Sequence, residues 1–372
     1  VGQPQEALIY LKQALNLQEN LANETEKATT LGNIGAAYLR LGQPSEALNY
    51  LNQAFLIQNR TKNQMVAADT LSQIGAAYYE LGQLEDARTR LERALALQKQ
   101  TGDKTGEAFT LHKMGGVYAS LRQPDQALNY YQQALEIQRQ VGGRVGEAAI
   151  LRGIGAVYEN IGQPTDALRY FEQALILQRQ IGDRTGESRS LAGLGAVYLG
   201  LGELKQALDS YQQALHLSTA INDRTAESEQ LNGIGVVLVA LGHYRQALDY
   251  YQRALAIQHQ GGNQVKEATT LNNMGAVYRN LGDYSQAVDY FESALLIYNH
   301  LDSLGGKAST LVNLGTTYYD LGQPQEALTY FQQALPLFRQ ISHKSGEAST
   351  LSHIGSVYHE VLNQLPQALD YY

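Results

Sequence analysis

The chain has 372 residues, 44% hydrophobic and 17% charged, a balance too apolar for intrinsic disorder. Its net charge of −8, from 36 acidic and 28 basic side chains, lacks the basic excess of a general nucleic-acid surface. No apolar run approaches the ~20 residues of a membrane span, and the absence of cysteine excludes disulfides and thiolate metal sites.

In chain order, Val1-Gly2-Gln3-Pro4 opens partway through a pattern that the rest of the chain repeats. Residues 3–20 read as a lone second helix whose Ala7, Leu8, Leu11 and Ala14 are spaced to stack on a neighbour. From there a 40-residue period takes over. Leu recurs at 31, 71, 111 and on to 351, with Gly four residues later from Gly35 to Gly355 at all nine positions. Tyr follows three residues on at eight of nine, Leu238 being the exception. Ala47 and Ala54 each begin a further series with the same period.

Each period reads as two helices. Leu31, Ile34, Gly35 and Tyr38 fall on one stripe of the first, and Ala47, Leu48, Leu51, Ala54 and Phe55 on one stripe of the second. Gly42 stands where the first helix must stop, and Pro44 where the second must start. Arg122 occupies the Gly42 position of its unit, which predicts a turn strained by ~1 kcal/mol or differently shaped. Gly35 and Ala47 are small enough to let paired helices approach, with Tyr38 and Leu51 filling the space beside them. The phenols at the Tyr38 position must each reach a partner or the surface.

First helices are expected to start near residues 26, 66, 106, 146, 186, 226, 266 and 306. The predicted organisation is a single solenoid over 1–372: a partial repeat at 1–20, eight full repeats at 24–343, and a partial repeat at 344–372. The segment 361–366 carries one residue more than its counterparts, so the last turn is expected to be irregular. The chain reads as a piece of a longer protein, and ends without polar capping helices lead to an expectation of homo-oligomers formed end to end.

The pattern Leu31-x2-Ile34-Gly35-x2-Tyr38…Ala47-x3-Leu51-x2-Ala54 resembles the tetratricopeptide repeat, over essentially the whole chain. The resemblance implies an all-α superhelix of stacked antiparallel helix pairs. The period exceeds the common length of ~34, and the additional residues are expected between units, as in Thr101-Gly102-Asp103-Lys104-Thr105-Gly106-Glu107. In this the chain is similar to the kinesin-light-chain and Leu-Gly-Asn branch. The wording Gln-Ala-Leu…Gly-Asp-Arg-Thr-Gly-Glu is closer to multi-repeat proteins of cyanobacteria, which often precede a caspase-like CHAT domain. A bacterial, cytoplasmic protein is the corresponding expectation.

Chemistry is hard to find in the chain. Its His residues (112, 216, 243, 259, 300, 343, 353 and 359) lack zinc-helix spacing, which predicts solvated or groove residues and no metal. Gly153-Ile154-Gly155 and its relatives lie inside helices and not after a strand, so they read as packing, not as a dinucleotide loop. No Ser sits in a nucleophile elbow. No catalytic residue and no cofactor is therefore expected, and the chain reads as a non-enzyme.

The resemblance implies that first helices line a concave groove, through positions equivalent to Thr29, Gly32, Asn33, Ala36, Leu39 and Arg40. These vary while packing positions stay fixed. The lining so defined includes His112, Lys113, Arg152 and Arg189, then Glu229, Asn232, Asn272, Asn273 and Arg279, then Asn313, Tyr319, His353 and His359. The Asn33-phase side chains resemble those of family members that hold extended peptides by their backbone. The Ala36 phase is mostly Ala, which argues against capture of a chaperone carboxylate tail. Two readings stand side by side for these polar residues: an ordinary solvated surface, or a recognition groove in which His112, Lys113, Arg152 and Arg189 form a basic stretch for an acidic peptide. An architectural spacer and a regulatory arm of a larger enzyme are the other functions to weigh.

Overall fold

In a computed structural model, which describes residues 4–18, 23–361 and 364–371, the chain is a run of helices joined by short turns. They are α1 (Pro4–Gln18), α2 (Glu24–Arg40), α3 (Pro44–Arg60), α4 (Gln64–Glu80), α5 (Leu84–Thr101), α6 (Lys104–Ser120), α7 (Pro124–Val141), α8 (Arg144–Asn160), α9 (Pro164–Ile181) and α10 (Arg184–Gly200). There follow α11 (Leu204–Ala220), α12 (Arg224–Ala240), α13 (Tyr244–Gln260), α14 (Gln264–Asn280), α15 (Tyr284–His300), α16 (Leu304–Asp320), α17 (Pro324–Gln340), α18 (Lys344–Ser356), a π-helical turn (Val357–Val361) and α19 (Leu365–Tyr371). No strand occurs among the described residues. The backbone falls into two compact units, residues 1–193 and 194–372, described separately below.

From α2 to α16, the turn after each first helix is set by one left-handed residue. Gly42 has φ +67°, its amide donates to Leu39, and Gln43 reaches back to the Tyr38 carbonyl at 3.0 Å, satisfying carbonyls that the helix end would otherwise orphan. Arg122 adopts the same shape at φ +58°, with the matching Gln123-to-Tyr118 bond at 2.9 Å. The turn is thus strained but not remodelled. Arg122→Gly is expected to stabilise the protein by about 1 kcal/mol, read as a higher urea midpoint at unchanged slope.

The same geometry recurs after the second helices α3 to α17, at Lys62, Gly102, Gly142, Gly182, Asn222, Gly262, Asp302 and Ser342. This corrects the expected loops between units. Thr101 still belongs to α5 and Lys104 already to α6, so the additional residues lengthen helices instead of building linkers. Asp103 explains the early start: its carboxylate accepts from the Gly106 amide at 3.0 Å, as Asn23, Asp223 and Asn263 do for their own helices. First helices accordingly begin two residues before their expected positions.

Within each unit the core is the seam between paired helices. A Cβ at Gly35 would lie 2.7 Å from Leu51 Cδ2, and one at Gly155 3.1 Å from the Phe171 ring, so glycine here permits close approach. Gly153 and Gly193 serve the next seam, against Tyr131 and Phe171, which makes the Gly-x-Gly strings packing elements. The Tyr38-phase rings stack on a ring twelve residues on, as in Tyr38–Tyr50, Tyr118–Tyr130 and Tyr158–Tyr170 of the first unit and Tyr278–Tyr290 and Tyr318–Tyr330 of the second, with centroids 5.0 to 5.5 Å apart.

The surplus residue near the C-terminus is absorbed as the π-helical turn Val357–Val361, a one-residue widening of the helix. Its register consequence is visible: Tyr358 stacks on Tyr371, thirteen residues away instead of twelve. Residues 362 and 363 of that segment lie outside the described residues, as do 1–3 and 19–22.

Successive even-numbered helices touch one another, α2 with α4, α4 with α6 and α6 with α8 in the first unit, and α12 with α14, α14 with α16 and α16 with α18 in the second. Among the described residues, successive odd-numbered helices make no comparable contact. Each unit therefore bends with its even helices on the inner side, which are the helices assigned above to the lining.

Candidate functional site

In the first unit, Lys113 of α6 and Arg152 of α8 line a pocket of about 380 Å3 together with His112, Tyr79, Tyr131 and Ser120. Gly116 and Gly153 form part of its wall, and a Cβ at Gly153 would lie 2.8 Å from Tyr131 Cζ. Glycine there lets the Tyr131 ring run through the seam to the inner surface. Tyr79 accepts a hydrogen bond from the Ser120 hydroxyl at 3.3 Å across α4 and α6.

The electrostatics are one-sided. Burial pulls the Lys113 ammonium below its usual range, Arg152 and Arg189 add to that pull, and Glu80 alone opposes it. Arg152 is lowered by burial and then by Arg189. His112 is driven down to about 3 by burial first and then by Lys113 and Arg152, so its ring is neutral at pH 7. That ring tilts against Tyr131 at 5.7 Å, and burial pushes the Tyr131 phenol upward. Burial also raises the Glu80 carboxyl, against the pull of Lys113. Among the described residues, Lys113, Arg152 and Arg189 make no ion pair. Lys113 instead lies over the Phe109 ring, 5.4 Å from its centroid.

The second unit treats its lining differently. Asn273 Nδ2 donates to Asn232 Oδ1 at 3.1 Å, and Asn313 Nδ2 donates to Asn272 Oδ1 at 3.1 Å. The Tyr319 hydroxyl donates to Glu360 at 2.6 Å, and Arg279 lies 3.9 Å from the Asp320 carboxylate. Each of these pairs is 41 residues apart, the stagger between adjacent inner helices. Lys266 pairs with Glu229 on the same face. His353 stacks flat on Phe331 at 5.2 Å, and burial followed by Arg279 holds its pKa down.

The expected lining residues thus divide into two sets. His112, Lys113 and Arg152 come together in one pocket, with Arg189 electrostatically coupled to Lys113 and Arg152. Asn232, Asn272, Asn273, Arg279, Asn313 and Tyr319 are bonded to one another or to neighbours. Spacing could have revealed that ladder, since Asn232/Asn273 and Asn272/Asn313 are each one period plus one residue apart.

A second pocket of the first unit, about 360 Å3, escaped sequence reasoning. It is lined by Asp69, Ser72 and Gln73 of α4, by Asp103, and by Thr105, Gly106 and Phe109 of α6. Burial raises the Asp69 carboxyl, the nearby Asp103 charge raises it further, and a hydrogen bond from Gln98 opposes both.

No helix among the described residues is long and apolar enough to cross a membrane. The chain has no match among curated protein sequences. Solved structures are similar in fold. The apo form of the quorum sensor NprR from B. thuringiensis is 15% identical, with 96% of this chain and 97% of that one covered at a TM-score of 0.66. A Rap protein complexed with competence and sporulation factor is 14% identical over 91% of this chain and 99% of that one, TM-score 0.61. A signal-transduction ATPase with numerous domains and a tetratricopeptide repeat sensor, from Pyrococcus horikoshii, is 13% identical over 95% of this chain and 53% of that one, TM-score 0.67. The family model for the tetratricopeptide repeat matches residues 1–59, 66–140, 146–220, 225–300 and 306–372, and with its helix pairs and glycine seams the chain belongs to the tetratricopeptide-repeat family.

Proposed function

We propose that the chain is a non-catalytic interaction scaffold whose first unit receives an anionic segment of a partner protein on its inner side. One observation carries this reading. Lys113, Arg152 and Arg189 stand on three successive inner helices without an ion-pair partner, beside a pocket wide enough for a side chain. Lys113 and Arg152 are half-buried and unpaired, which is costly, and an incoming carboxylate relieves that cost while gaining charge-assisted hydrogen bonds, with the exposed Arg189 adding its charge nearby. The fold neighbours support the class of function: one Rap protein is complexed with competence and sporulation factor, and the Pyrococcus ATPase carries its repeats as a sensor.

In the second unit the corresponding polar groups already satisfy one another, which favours an architectural part for that half. The basic pocket and the bonded ladder give the two units different tasks.

The test is anisotropy of a fluorescein-labelled Glu-rich decapeptide. Arg152→Glu with Arg189→Glu is expected to weaken binding by at least tenfold, whereas Arg279→Glu in the second unit leaves it within a factor of two. Equal affinity for the doubly reversed and parent chains would remove the basic pocket from the function.

A further inference from the structure

The second pocket complements the first. Asp69 and Asp103 bring two carboxylates to it, and Gln73 Oε1 in its wall is buried with no hydrogen-bond partner. Beneath it lies Gln98, fully buried, whose amide nitrogen donates to the pocket residue Ser72 at 3.2 Å while its Oε1 is left unpartnered. A Cβ at Gly106, also in the wall, would lie 2.7 Å from that amide nitrogen, which puts the Gln98 amide behind the Gly106 wall of the pocket. The pocket thus collects acceptors, two of them carboxylates, and leaves one amide oxygen of its own wall, Gln73 Oε1, unsatisfied. Buried acceptors without donors cost free energy that a multiply donating cation recovers. Phe109, whose ring already carries the Lys113 ammonium 5.4 Å from its centroid, is 41% exposed at the same site and gives the aliphatic stem of such a cation an apolar edge to lie along.

Both pockets open along one stretch of α4 and α6. The acidic one reaches from Asp103, the cap of α6, to Phe109 on that helix, and the basic one begins at His112 and Lys113. Gly106 and Lys113 are seven residues apart, about 10 Å at ~1.5 Å per helical residue. An extended chain covers that distance in about three residues.

Resting on the reading of the basic pocket given above, we infer that the partner segment is bipolar: an extended stretch with an Arg or Lys side chain in the Asp69–Asp103 pocket and a Glu or Asp side chain at Lys113 and Arg152, about three residues away. Either charge alone engages half of the site, and opposite charges brought too close together cannot reach both pockets. The array selects a charge pattern, not merely a negative segment.

The experiment uses the full chain at low ionic strength with fluorescein-labelled twelve-residue Ser/Ala peptides, acetylated and amidated so that only chosen charges remain. One Arg and one Glu are placed one to eight residues apart, with Arg-only and Glu-only peptides as references. Affinity is expected to peak at separations of three or four and to exceed each reference by about tenfold. Asp69→Asn with Asp103→Asn removes the charges while keeping the cap of α6, since Asn23 and Asn263 cap α2 and α14 in the same way. This variant is expected to bind the bipolar and Glu-only peptides alike. Arg152→Gln should lose the Glu contribution and retain the Arg one. If bipolar and Glu-only peptides bind the parent chain equally, or the double Asn variant changes nothing, the bipolar inference fails while the basic pocket survives. If Arg152→Gln leaves every affinity unchanged, the basic pocket itself fails.

Discussion

Phe291→Ala is expected to cost about 3–5 kcal/mol and Gly275→Leu about 3 kcal/mol, yet the two together should cost less than their sum. Phe291 of α15 is fully buried, and its ring lies where a side chain at Gly275 of α14 would grow: Cδ1 and Cε1 are each 2.8 Å from an ideal Cβ. Removing the ring opens a cavity between paired helices, and adding a side chain opposite the intact ring forces the pair apart. Done together, the leucine enters the vacated space, so a double-mutant cycle should return a favourable coupling of about 1–3 kcal/mol. Urea unfolding of the four species measures it. Because a repeat array sums local terms, hydrogen exchange should place the loosening in α14, α15 and their immediate neighbours. Gly32 supplies the control: nothing lies within 4 Å of its Cβ position, so Gly32→Ala should stabilise α2 by up to about 1 kcal/mol. Strict additivity at Gly275 and Phe291 would mean that the ring does not hold glycine in place there.

The glycine half of that pair is legible as a period in the sequence, because close approach demands the same small residue at the same phase, whereas its partner varies from Leu51 and Leu91 to Tyr131, Phe171 and Phe291. Gly35, Tyr38, Ala47 and Ala54 are readable for this reason. The turns after second helices were not, since Lys62, Asn222, Asp302 and Ser342 adopt positive φ without the glycine that signals it. The π-helical turn was readable only as a residue too many, because the count does not say whether a helix or a loop absorbs it. For the lining, phase identified which residues face inward but not which are spent on one another. Asn273, expected as a ligand contact, donates to Asn232, because adjacent inner helices are offset by one residue beyond the period. Asp69 and Asp103 lie 34 residues apart on different phases, one on a lining stripe and one acting as a cap, so nothing in the period joins them. Periodicity reports what neighbours share, whereas a binding site is built from what single units do not share.

Acid is expected to destabilise the protein through His112, and His112→Gln should remove much of that sensitivity. The ring is packed against Tyr131, with Lys113 and Arg152 beside it, so protonation in the folded state would put a third cation into one pocket. Its pKa of about 3 lies below the ordinary value of 6.5 for an exposed imidazole. Well above pH 6.5 both folded and unfolded chains hold the ring neutral, and His112 contributes no pH dependence. Below that value the unfolded chain binds the proton and the folded chain does not, so stability falls progressively as pH is lowered towards 3. Between pH 7 and pH 5 the loss from this residue is about 1–2 kcal/mol, allowing for the part of the ring that water still reaches. Urea midpoints at the two pH values should therefore diverge in the parent chain by that amount more than in His112→Gln. An anionic peptide seated at Lys113 and Arg152 would offset the repulsion and narrow the gap. If the peptide narrows it in the parent but not in His112→Gln, the ring and the bound anion share one electrostatic environment, which the pocket geometry requires.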